Sequence, residues 1–221
     1  MASSGEQPDQ EKRRPRIGVL VAAAGKSERM VGGNKLALPL SGRALVSRAV
    51  EAILESGLSR VVVVTGHQAE RIRSVLAPYP VAFAHNPDFA RGLGSTLEVG
   101  VGELSEESDG ILVCLGDMPL VAVADIRALV ERFEQEQGAL ICVLSWQGKR
   151  GHPVLWPRRY FAALGSLDGD RGGRDLLEEF AGDVSRVEAS GEGVLIDVDT
   201  PGVLASLEES RGQDPGQGET D

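Results

Sequence analysis

The sequence predicts an α/β fold, a doubly wound and mainly parallel sheet with helices on both faces. Three observations carry this. Short β-branched runs alternate with helical patterns along the chain. Runs such as Val61–Val64 and Ile111–Leu115 are apolar without a break, which suits strands covered on both faces. Glycine is abundant, 28 of 221 residues, and stands where several of these runs end. Such alternation implies parallel neighbours joined by right-handed crossovers.

Taken in order, Ile17–Val21 reads as the first strand, ending in a small-residue turn. Ala44–Ser56 reads as a helix, with Val46, Ala49, Val50 and Ile53 at helical spacing. Arg60–Thr65 is a strand built on consecutive valines, Gln68–Leu76 a helix, and Val81–Ala84 a short strand. Ser95–Glu103 is a helix, Gly110–Leu115 a buried strand, and Ala124–Gln137 a helix with Ile126, Leu129, Val130 and Phe133 on one side. Leu140–Leu144 and Val154–Leu155 follow as strands, then helix Arg174–Phe180 and strand Val184–Val187. Helix Pro201–Glu209 opens on a proline, which suits a first helical turn. There is no internal repeat. The organisation expected is a disordered tail over 1–15, a single domain over 16–207, and an acidic disordered tail over 208–221.

Composition narrows the function classes. A net charge of −10 argues against nucleic acid as a partner, because no basic patch offsets phosphate repulsion. Part of that charge is the tail, with Glu208, Glu209, Asp214, Glu219 and Asp221 against Arg211. No run reaches the roughly 18 apolar residues of a membrane span. The polar start, Met1 to Arg16, does not read as a secretory signal. Cys114 and Cys142 lie in apolar runs and read as buried free thiols. A cytoplasmic protein is expected.

In open α/β sheets the ligand lies beyond the carboxyl ends of the strands. Ala22-Ala23-Ala24-Gly25 follows the first strand there, and small residues let backbone approach a ligand closely. Arg29 and Lys35, a few residues on, supply fixed positive charge for phosphates. Two other motifs are excluded. Leu20 stands where a P-loop needs its first glycine, and Leu97 stands where a dinucleotide fingerprint starting at Gly92 needs its third. Asp117, after Leu115-Gly116, is placed to hold Mg²⁺, although a turn or capping aspartate would look the same. Asp197 and Asp199 alternate on an extended segment and so point to one face, although Asp199 or Thr200 would also serve to cap the helix at Pro201.

These pieces resemble the molybdenum cofactor nucleotidyltransferases, in particular the cytidylyltransferase branch acting on molybdopterin-type cofactor. Four segments over about residues 16 to 207 carry the resemblance. They are Ala23-Ala24-Gly25 through Arg29-Met30 and Lys35, Asn86-Pro87-Asp88 with Gly92-Leu93-Gly94-Ser95, Gly116-Asp117-Met118-Pro119, and Arg150-Gly151-His152-Pro153 followed by Asp197-Val198-Asp199-Thr200-Pro201. The resemblance implies a Rossmann-like nucleotidyltransferase fold. Ala22, Ala23, Ala24 and Gly25 would pass near the base and sugar, with Gly94 and Ser95 closing on the base. Arg29 and Lys35 would hold the triphosphate, and Arg29, Lys35 and Asp117 would be the catalytic residues. Asp117 would be the principal Mg²⁺ ligand and Asp199 the second. His152, Arg171 and Arg174 would face the acceptor. The alanine pair before Gly25 points to CTP as co-substrate, and a molybdenum hydroxylase is the implied client enzyme. Val31 and the long gap from Arg29 to Lys35 depart from the pattern. An NAD(P)H-dependent reductase of a heterocycle on the same fold, a guanylyltransferase variant and a silent binding module are the rival readings.

Overall fold

The computed structural model describes residues 13–26, 33–170 and 172–212. Its elements begin with β1 (Ile17–Ala23), the short strands β2 (Pro39–Leu40) and β3 (Arg43–Ala44), and α1 (Leu45–Glu55). They continue with β4 (Val61–Thr65), α2 (Ala69–Leu76), β5 (Ala82–His85), α3 (Leu93–Leu104), β6 (Gly110–Leu115) and α4 (Val123–Gln135). The remainder is β7 (Ile141–Trp146), β8 (Lys149–Pro157), α5 (Phe161–Gly165), α6 (Arg174–Glu179), β9 (Val184–Glu188) and α7 (Pro201–Gly212).

Among the described residues, seven strands form one sheet in the order β5-β4-β1-β6-β8-β7-β9, and β2 pairs with β3 alone. Within the seven-stranded sheet all neighbours are parallel except those of β8, which runs antiparallel to both β6 and β7. Alternate residues feed two cores, as strand geometry requires. Val19, Val21, Val61, Val63, Leu112 and Cys114 face α1, α2 and α4, where Val50, Ile72 and Leu129 meet them. Leu20, Val62, Val64, Ile111 and Val113 face the other way, onto Leu97 and Val101 of α3 and Leu164 of α5. The sheet is therefore doubly wound, as the sequence predicts.

The differences from the sequence reading have local causes. β1 continues through Ala22 and Ala23, because these residues pair with Leu115 of β6 and with Thr65 of β4. β8 spans nine residues instead of the two apolar ones expected. It is the return arm of a hairpin whose turn, Gln147-Gly148, has positive φ at both positions (49° and 77°), and its first half is polar. α5, a single turn and a half, was too short to leave a periodic signal. α7 runs to Gly212, past the expected boundary at 208, and Arg13, inside the expected N-terminal tail, pairs with Asp109 together with Arg16, the first residue of the expected domain. Both cysteines are buried and free, and burial pushes the Cys142 thiol up to about 12 and the Cys114 thiol further still. No helix among the described residues is long and apolar enough to cross a membrane.

Candidate functional site

A cleft of about 590 Å³ opens beyond the carboxyl ends of β1, β5 and β6. Ala24, Gly25 and Lys26 after β1, Phe89 to Leu93 after β5, and Asp117 after β6 contribute to its wall, with Asp197 and Asp199 closing one end.

Lys35 is held at that end by local structure. Asn34, fully buried, accepts from the Leu36 N–H at 3.1 Å and starts a helical turn over Lys35–Ala37. Its amide nitrogen donates to the His67 carbonyl at 3.1 Å, and its own N–H donates to Gln68 Oε1 at 3.2 Å. The turn is thus tied to the loop after β4, while Leu36 is sunk into the core. From this anchor the Lys35 ammonium reaches Asp117 Oδ2 at 2.7 Å and also bonds Asp199 Oδ1. Burial opposes its charge, but the two carboxylates outweigh it and hold Lys35 above the ordinary lysine value.

The carboxylates are placed with equal economy. The Val198 N–H donates to the Asp117 carbonyl at 2.9 Å, stitching the 196–200 segment to the turn after β6. Val198 is fully buried with Leu40 and Leu45, under Leu120 and three apolar residues of α7. With Val198 turned inward, Asp197 and Asp199 both reach the cleft. Thr200, whose hydroxyl faces the Val203 N–H at 3.4 Å, stands at the start of α7, so Asp199 has other work than capping. Burial and the neighbouring Asp199 charge raise the Asp197 carboxyl above its usual range.

Among the described residues no group of three His, Cys, Asp or Glu side chains is arranged to hold a metal alone. Asp117 and Asp199 nevertheless converge on one cation, the Lys35 ammonium. Mg²⁺ takes one or two carboxylates and completes its shell with phosphate oxygens and water. This donor pair fits that requirement.

The expected site residues divide. Ala22, Ala24, Gly25, Lys35, Asp117 and Asp199 line the cleft, whereas Ala23 points into the core. Arg29 and Arg171 lie outside the described residues. Gly94 and Ser95 do not line the cleft. The Gly94 N–H donates to the Gly169 carbonyl at 2.9 Å, and a Cβ there would come within 2.4 Å of the Leu167 carbonyl oxygen. The Ser95 hydroxyl is buried against Asn86 and the Asp88 and Gly92 carbonyls. Helical spacing instead sends Leu93 and Thr96 to the cleft. His152 lines a small apolar cavity with Cys114, Met118 and Pro153 rather than the cleft. Its Nδ1 is buried without a hydrogen-bond partner. Burial lowers its pKa, Asp117 opposes this, and Arg174, exposed at the start of α6, adds to it.

Sequence reasoning missed Asn34 and Phe89, and passed over Asp197 when naming site residues. Asn34 had a signal: an Asx residue directly ahead of Lys35 is a capping pattern. Asn86 was quoted only as part of a motif. Its side chain bonds both Ser95 and Thr96, and so fixes the first turn of α3.

Comparison with known proteins bears on family and fold. The model of the MobA-like NTP transferase domain matches residues 19–186. The purine catabolism protein PucB of Bacillus subtilis is 34% identical over 84% of this chain and 92% of its own length. Nicotine blue oxidoreductase of Paenarthrobacter nicotinovorans is 32% identical over 83% of this chain and 91% of its own. A solved nucleotidyl transferase from Methanothermobacter thermautotrophicus superposes with a TM-score of 0.76 at 26% identity, covering 88% of this chain and 97% of that one. With the family model matched over three quarters of the chain and both relatives above 30% identity over most of it, this chain belongs to the MobA-like NTP transferase family.

Proposed function

We propose that the chain transfers CMP from CTP to the phosphate of a molybdopterin-type cofactor and releases pyrophosphate, with Mg²⁺. The observation that carries this is Lys35 gathered with Asp117 and Asp199 at one end of a cleft beyond the strand ends. A fixed cation beside two convergent carboxylates is what a metal-bound triphosphate needs.

The reaction is an in-line displacement. An acceptor phosphate oxygen forms a bond to the α-phosphorus, and the bond from that phosphorus to the pyrophosphate oxygen breaks. A phosphomonoester is largely dianionic at neutral pH, since its second pKa is about 6, so no general base is required. Lys35, with Arg29, draws charge from the leaving phosphates, and Asp117 and Asp199 would hold Mg²⁺, which when bound would supply charge neutralisation at the transferring group. The Ala22–Gly25 segment gives the base and sugar close backbone approach. Arg171 and Arg174 serve the acceptor, and His152, which feels the charges of both Asp117 and Arg174, acts from behind the cleft wall. Delivery to a molybdenum hydroxylase is the downstream role.

Nicotine blue oxidoreductase, similar over most of this chain, supports a second reading as an NAD(P)H-dependent reductase of a heterocycle. The two readings part at the carboxylates, since hydride transfer has no use for a metal-binding pair. Pyrophosphate release decides, measured with Mg²⁺, acceptor and CTP, GTP or ATP supplied separately. Release with CTP alone is expected, and release with GTP alone moves the proposal to guanylyl transfer. Silence with all three, joined to NADPH oxidation by heterocycles, replaces it with the reductase.

A further inference from the structure

The lysine assigned to the triphosphate is already bonded to the carboxylates assigned to the metal. We infer that Lys35 is a built-in competitor for the divalent cation. Its ammonium and the metal claim the same oxygens on Asp117 and Asp199, so the metal binds well only when nucleotide phosphates take the lysine away. This rests on the proposed reading of the site and adds a rule of entry to it.

The geometry gives the competition its physical basis. One Nζ meets Asp117 Oδ2 at 2.7 Å and also bonds Asp199 Oδ1, so both oxygens converge on the position of a single cation. The Lys35 and Asp117 side chains are only 13% and 18% exposed, which leaves their attraction poorly screened. A metal ion must therefore replace a strong charge-assisted contact, not fill an idle one. The backbone around the contact has little freedom. Asn34 bonds the loop after β4, Leu36 is buried, and the Val198 N–H is fastened to the Asp117 carbonyl. The part that can move is the four-carbon stem of Lys35, whose rotamers carry the ammonium several ångströms.

Charge along the cleft makes the exchange two-sided. Among the described residues, Asp117, Asp170, Asp197 and Asp199 line it against Lys26 and Lys35, an acidic balance that disfavours a bare triphosphate. Nucleotide alone meets carboxylates, and metal alone meets a lysine. Arriving together, the phosphates give the ammonium new acceptors while the metal takes the oxygens it leaves. The unit that enters is the metal–nucleotide complex.

Mn²⁺ titrated into the full chain without nucleotide, with free Mn²⁺ read by electron paramagnetic resonance, tests this. Lys35→Met should bind Mn²⁺ at least tenfold more tightly than the wild type, and adding Asp199→Asn should abolish that gain. In the wild type, α,β-methylene CTP should tighten Mn²⁺ binding by a similar factor, and in Lys35→Met by much less. A Lys35→Met protein with an unchanged circular dichroism spectrum and a cooperative melt that binds Mn²⁺ no better than the wild type overturns the inference. Should that variant not fold, a wild type in which the CTP analogue leaves Mn²⁺ affinity unchanged overturns it equally. A chain that releases no pyrophosphate from any nucleotide yet shows the tenfold gain loses the transfer reading and keeps this one.

Discussion

The two ends of the cleft are built from different material. At the Lys35 end, side chains do the work: an ammonium held by the Asn34 turn, two carboxylates on it and a third beside them, the carboxylate segments tied by the Val198 N–H to the Asp117 carbonyl. At the α3 end, backbone meets backbone. Gly92 and Gly94 press against the 167–170 loop so closely that a Cβ on either would overlap it, and the Gly94 N–H donates to the Gly169 carbonyl across the contact. Charge can be retuned by one substitution without moving a chain, whereas a glycine contact fixes the shape of the opening. The difference suggests that chemistry belongs to the first end and substrate shape to the second.

Asp117→Asn should break the comparison most visibly. It removes a charge from the Lys35 contact with almost no change of volume, so turnover should fall by about 10²–10³-fold, the range seen when one electrostatic stabiliser is lost. The melting temperature should move far less. Steady-state pyrophosphate release beside a thermal melt checks both, and full activity in Asp117→Asn would remove that residue from the mechanism.

Gly94→Ala should give the opposite pattern. Its Cβ would lie 2.4 Å from the Leu167 carbonyl oxygen, and backbone cannot swing aside as a side chain can. Overpacking of this kind costs about 1–3 kcal/mol. The melt should drop accordingly, and KM for the acceptor should rise more than KM for the nucleotide as the 167–170 loop is pushed off α3. Equal rises in both constants would mean that this contact shapes the whole cleft and not one end of it.

How much of this the sequence discloses follows the same division. The sheet, its two cores and the position of the cleft were legible because they depend on local apolar runs such as Val61–Val64, which need no partner to be recognised. Lys35, Asp117 and Asp199 were legible as residues of the right type at strand ends, but their union was not, since 164 positions separate Lys35 from Asp199. Asp197 and Asp199 were read as facing one side, and the buried Val198 between them is the reason they do. Gly94 and Ser95 were assigned to the base by the resemblance, which takes the glycine as a point of ligand approach. Here it is approach by another loop, contributed from residues 167–169 and invisible to any local pattern. β8 was read short for a related reason: its polar half is a strand only because β7 lies beside it.

His152 lies between the two kinds of construction and gives the smallest effect. It belongs to β8, lines an apolar cavity, and has a buried Nδ1 without a hydrogen-bond partner. Burial depresses its pKa below the ordinary 6.5, with Arg174 adding to the depression and Asp117 resisting it. The sign of the pH dependence follows. The unfolded chain takes up this proton more readily than the folded one, so the stability tied to a neutral His152 is complete above about 6.5. It is lost as the pH falls below that value, at no more than about 1.4 kcal/mol per pH unit for one proton. Melting temperatures of the wild type and His152→Gln between pH 8 and pH 5 measure it. The two curves should run parallel above 6.5, and the wild type should fall more steeply below. Parallel curves over the whole range would mean that the imidazole is hydrated in solution and that Asp117 has no titrating neighbour behind it.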